Sequence, residues 1–166
     1  MLPYASKHNV RLILVNARDI GPSTPYSEAE LALILSKDPA ENIQFMRGII
    51  AEFASFVAWL VQHEKIPPFE EDKTGNKTGG ISLFAWSAGN AIFIPFFAMA
   101  DTIPSQIRTF IEPYLRSYVL YGKHPHSHDA RSTYLMTTLT QIPPTTPSGG
   151  QTPLWRKFTA PFATPL

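Results

Sequence analysis

Ile81-Ser82-Leu83-Phe84-Ala85-Trp86-Ser87-Ala88-Gly89-Asn90 (ISLFAWSAGN) is the stretch on which the reading of this chain turns. Its first half is a short apolar run with the look of a buried strand. It passes without a linker into Ser87-Ala88-Gly89, and an apolar helix is expected from about Asn90 to Ala100, with Pro95 as a point of bending. The pattern is small-x-Ser-x-Gly between a strand and a helix. A serine at so sharp a turn takes an unfavourable backbone conformation, at a cost on the order of 1–3 kcal/mol. The residues two before and two after it are brought together, which calls for small side chains, and Ala85 and Gly89 meet that demand. The turn lifts the Ser87 hydroxyl above the sheet, where the new helix aims its unpaired N–H groups and positive dipole end. The backbone N–H of Ala88 is then placed to donate to an oxyanion. This is the geometry of a nucleophile elbow, and its test is structural: strand before, helix after.

Working outward, Val10 to Val15 (VRLILV) reads as a second strand buried on both faces. A loop punctuated by Gly21, Pro22 and Pro25 follows. Ser27-Glu28-Ala29-Glu30 has capping-box spacing and predicts a helix to about Leu35. Asp38-Pro39 opens the longest helix, with Phe45, Met46, Ile49, Ile50, Phe53, Val57, Leu60 and Val61 forming one stripe. Lys65 and Pro67-Pro68 end it. Residues 70–80 are polar and glycine-rich and read as a surface loop. Beyond the turn, a helix is predicted over Pro104–Tyr114 and a third strand over Ser117–Tyr121. Strands alternating with helices predict an α/β architecture of parallel strands and crossover helices.

Composition bounds the rest. The 166 residues suit one domain, with 44% hydrophobic and 16% charged residues, too apolar for disorder over the whole length. A formal charge of +1 without a basic cluster argues against a nucleic-acid partner. The absence of cysteine removes disulfides, thiolate catalysis and cysteine-based zinc sites. Thr78 to Ala100 carries no charged side chain, yet Gly79, Gly80, Ser82, Ser87, Gly89, Asn90 and Pro95 interrupt it, so no membrane span is expected. The N-terminus lacks the apolar region of a secretory signal, which makes the cytoplasm the default compartment. Proline is in excess, at 16 of 166 residues, against a usual level of about 5%. Six of these prolines lie in residues 141–166, read as a Pro/Thr-rich tail or orphaned lid segment after a domain spanning 1–140.

Taken together, LILVNARDIGPSTPYS, a long amphipathic helix, KIPP and GGISLFAWSAGN resemble the serine α/β-hydrolases, most closely a fungal group of alpha/beta hydrolase-1-type proteins. The resemblance covers about Val10 to Asp129. It implies a partial α/β-hydrolase fold with the 10–15 strand beside the elbow strand, Ser87 as nucleophile, Ala88 as oxyanion donor and a small-molecule acyl substrate. Ala85 departs from the family's commoner glycine, a sterically mild change. The family also needs an acid and then a histidine on loops after later strands. Here the last acid is Asp129 and the last histidine His128. Asp101 or Glu112 with His124, His126 or His128 would be an improvised triad from the wrong places, so base and acid stay unassigned. Nor do the nine residues before Val10 hold the family's earlier strands or second oxyanion loop. The expectation is therefore a piece, or a degenerate relative, of a hydrolase domain. The alternative is a non-catalytic interaction protein meeting a protein partner at an exposed sheet edge.

Lesser features read as structural. His124-Pro125-His126-Ser127-His128-Asp129 superficially resembles the H-x-H-x-D-H motif of metallo-β-lactamase-fold hydrolases. The order of its last two residues is reversed and no second ligand set follows, so it reads as a solvated loop. No metal and no cofactor is expected. Arg18-Asp19 reads as a local salt bridge, Trp86 as packing on the sheet or lining an acyl pocket, and Asn90 as a hydrogen-bond partner of backbone near the helix start. Phe93, Phe96 and Phe97 read as core or as an orphaned interface.

Overall fold

The computed structural model describes residues 2–121 and 137–139. A short helix α1 (Leu2–Lys7) precedes α2 (Glu28–Leu35) and α3 (Pro39–His63). The helix starts follow the local code. Ser27 caps α2 by accepting from the Glu30 N–H, while the Glu30 carboxylate accepts from the Ser27 N–H, closing the capping box. Asp38 caps α3 through the Ala40 N–H, with Pro39 at the first helical position. At the other end Lys65 takes a left-handed φ of 51°, and the Ile66 N–H bonds back to the Val61 carbonyl, which closes the helix in the manner usually left to glycine.

The loop predicted at 70–80 contains a small antiparallel hairpin, β1 (Glu70–Glu71) with β2 (Lys77–Thr78). Asp72 holds its tip by accepting from the Thr74 hydroxyl at 2.6 Å and from the Asn76 and Thr74 N–H groups at 2.9 and 2.8 Å, bonds that keep its carboxyl below the usual range, the Thr74 hydroxyl foremost. The chain then reaches β3 (Ile81–Trp86), α4 (Asn90–Ala98), α5 (Ser105–Ile111), β4 (Leu115–Tyr121) and β5 (Thr137–Leu139). Single 3₁₀ turns stand at Ser87–Gly89, Ala100–Thr102 and Glu112–Tyr114. β3 and β4 pair in parallel, from Ile81 opposite Leu115 to Trp86 opposite Tyr121. β5, not foreseen from the sequence, adds antiparallel to the far edge of β4. The result is a mixed helix-and-strand unit around a small, mainly parallel sheet, compatible with the α/β class.

One face of that sheet carries the core. Leu83 and Ala85 of β3 and Leu115 and Tyr118 of β4 are buried with Ile50, Ala54 and Val57 of α3, Phe96 and Phe97 of α4, and Ile111 of α5. Phe93, Phe96 and Phe97 are thus core residues or packed directly on it. Rings lock the layers: Phe53 lies 4.9 Å from Phe93 and Tyr118 4.5 Å from Phe97. Ala54, small and unnoticed in the stripe, is fully buried. On the opposite face Phe84 and Trp86 remain 45% and 64% exposed, because no described helix covers that side.

The largest departure concerns Val10–Val15. This run joins no sheet, and β3 keeps an open outer edge among the described residues. Instead residues 11–16 lie along the C-terminal half of α3, beside Phe56, Trp59 and Leu60, with Arg11 paired to Glu64. An apolar, β-branched run is a strand only where a partner backbone meets it. Here it rests against a helix, with Leu14 86% exposed. The Thr78–Ala100 run folds as strand, turn and helix. Among the described residues, α3 is the one helix long and apolar enough to cross a membrane, and its stripe is spent on the core. The 141–166 segment lies outside the described residues.

Candidate active site

Ser87 follows the last residue of β3 and has φ 49°. That left-handed value, at a serine between a strand and a helix, is the feature the sequence pattern demanded. Trp86 before it is extended, at φ −113° and ψ 131°, and Gly89 after it is helical, at φ −58° and ψ −24°. The chain therefore reverses at the serine itself. Ser87 and Ala88 are exposed. Ala88 stands in the first turn, where N–H groups have no intrahelical acceptor.

Ala85 and Gly89 do face one another, but less tightly than the sequence argument required. A Cβ built on Gly89 would stand 3.8 Å from the Ala85 Cβ, an ordinary contact. The turn thus has room for one more methyl group. The glycines under real compression come earlier. Gly79 has φ 64°, and a Cβ there would come within 2.1 Å of the Pro68 carbonyl oxygen. The Gly80 N–H donates to the Pro67 carbonyl at 3.0 Å. This clasp fixes where the chain enters β3, and only glycine permits it.

Asn90 acts at longer range than expected. Its Nδ2 donates to the Tyr121 carbonyl at 3.2 Å, across to the end of β4 and not to the helix start. Trp86 packs edge-on against the Tyr121 ring at 5.3 Å, so it rests on the sheet's open face beside the turn. Arg18 is not paired with Asp19. Its guanidinium reaches Glu30 of α2 and, at 2.9 Å, Glu52 of α3, donates to the Pro25 carbonyl and lies 4.7 Å over the Tyr26 ring. Asp19, at φ 61°, accepts from the Tyr26 N–H. Bonds from Arg18 and Ser27 hold the Glu30 carboxyl down to about 2. This is a structural clamp between loop, α2 and α3, built from partners too far apart in sequence to be read as a motif.

No histidine is hydrogen-bonded to Ser87 among the described residues. His63, exposed and stacked 4.6 Å from Trp59, ends the helix that leads to the start of β3, the opposite end of the sheet from the serine. Asp101 and Glu112 lie on the return path from α4 to the start of β4, equally misplaced. His124, His126, His128 and Asp129 lie outside the described residues. Among the described residues no cluster of three His, Asp or Glu side chains could hold a metal. An open cleft of about 440 Å³ runs between residues 11–16 and the Phe56–Trp59–Leu60 face of α3, away from Ser87. Ser23 on its wall has its hydroxyl held by the Ala17 and Ile20 carbonyls, and it offers no nucleophile. No family model matches this chain, and neither a curated protein nor a solved structure matches it.

Proposed function

We propose that this chain is a serine hydrolase of the α/β-hydrolase type, acting on an ester or a related acyl compound. The observation that carries the reading is the left-handed φ of Ser87 at the turn from β3 into α4. In this reading the Ser87 Oγ attacks the acyl carbonyl and loses its proton to a general base. The Ala88 N–H donates to the oxyanion of the tetrahedral intermediate. No residue is assigned as base or acid. Labelling with a fluorophosphonate probe tests it: modification at Ser87, lost in Ser87→Ala, is expected. A folded protein that stays unlabelled while a control esterase reacts would sink it.

A second reading is favoured by a separate observation, the exposed Phe84 and Trp86 on the open sheet face beside the unpaired outer edge of β3 among the described residues. A non-catalytic protein that binds a partner there would use the sheet only as scaffold. A clean monomer in light scattering, with ordinary stability and no bound partner, would count against it.

A further inference from the structure

We infer that Asn90 is a positioning residue for the Ser87 nucleophile, an inference that rests on the hydrolase reading above. Four links close a ring around the turn. β3 ends at Trp86, the chain turns through Ser87–Gly89, Asn90 begins α4 and donates from Nδ2 to the Tyr121 carbonyl. Tyr121, the last residue of β4, stands opposite Trp86 in the parallel ladder and touches its ring. The left-handed serine is thus held between two strand ends that one side chain pins together. A backbone in a sparsely populated conformation persists only where its surroundings over-determine it, and this ring is what surrounds Ser87.

A purely structural role explains Asn90 poorly. Its Oδ1 is shielded from solvent and has no hydrogen-bond partner among the described residues. Leaving the oxygen of a shielded amide unpaired carries a desolvation cost that the single bond to Tyr121 must offset, so the residue is not explained by stability alone. What the amide adds is a donor directed at one carbonyl, and so a fixed distance between α4 and the end of β4. Loss of that distance lets Ser87 drift from its line of attack while the core below stays packed.

The test compares the full chain with Asn90→Ala and Asn90→Asp, the second nearly isosteric but presenting a carboxylate where the donor stood. Saturation kinetics of fluorophosphonate labelling give a maximal rate and a half-saturating concentration. Hydrogen exchange is followed at the amides of residues 87–90. Both variants are expected to lose on the order of ten- to a hundred-fold in maximal rate, with half-saturation unchanged and faster exchange confined to the turn. Unchanged rate and exchange in both variants would overturn the inference. So would variants that fail to fold, since Asn90 would then be a determinant of the fold and not of the turn. If the unaltered chain never labels, the hydrolase reading fails on its own account, and exchange alone decides whether Asn90 holds the turn.

Discussion

Replacing Ser87 by glycine and, separately, by alanine measures the backbone strain that the whole reading depends on. Both changes delete the hydroxyl, so their difference isolates the backbone at φ 49°. An L-residue held in the left-handed region loses roughly 1–2 kcal/mol that glycine does not. Glycine gives back about 0.5–1 kcal/mol through the greater freedom of its unfolded chain. The balance makes Ser87→Gly more stable than Ser87→Ala by roughly 0.5–1 kcal/mol, or about 1–4 °C in a domain of this size. Ser55 supplies the control. It lies within α3, where its hydroxyl donates to the Ala51 carbonyl at 2.8 Å, and there glycine is worse than alanine by about 1 kcal/mol. The sign should therefore invert between the two positions in paired thermal and urea melts. If Ser87→Gly falls below Ser87→Ala by the margin seen at Ser55, position 87 is not left-handed and the elbow argument collapses.

Two further outcomes follow from neighbouring features. Gly79→Ala should destabilise by roughly 3 kcal/mol or more, since a Cβ would meet the Pro68 carbonyl oxygen at 2.1 Å as well as a left-handed backbone. Gly75→Ala, left-handed but with open space around it, should cost only about 1–2 kcal/mol; equal urea midpoints for the two would refute the clasp. Glu30 has a folded-state pKa near 2 against an ordinary 4.5, so its contribution is complete above about pH 4.5 and drains away as pH falls toward 2. Melting curves of the unaltered chain and Glu30→Gln should separate above that window and converge below it. Curves parallel throughout would mean that the Arg18 clamp does not form.

What could be read from the sequence was whatever a few adjacent residues determine. Ser27 with Glu30, Asp38 with Pro39, and the stripe of α3 are local codes, and each element stands where its code put it. The turn at Ser87 is local in the same sense. What escaped depends on partners distant in the chain. Val10–Val15 has the composition of a strand, but composition does not supply a neighbouring backbone. Arg18 finds Glu30 and Glu52, and Asn90 finds Tyr121, through packing that no spacing rule records. The compression at Gly79 was likewise invisible, because it comes from Pro68 passing overhead, while the tightness expected at Gly89 proved mild.

The hairpin between α3 and β3 offers something practical. Its base is shut by the Gly80–Pro67 bond and its tip is organised by Asp72 alone, so Thr74-Gly75-Asn76 is mechanically insulated from the sheet. Loop tips of this kind tolerate inserted sequence at a cost that rises slowly with length. A fluorophore, an affinity handle or a short epitope grafted there would report on the molecule from outside, leaving both the buried aromatic layers and the serine turn as they are.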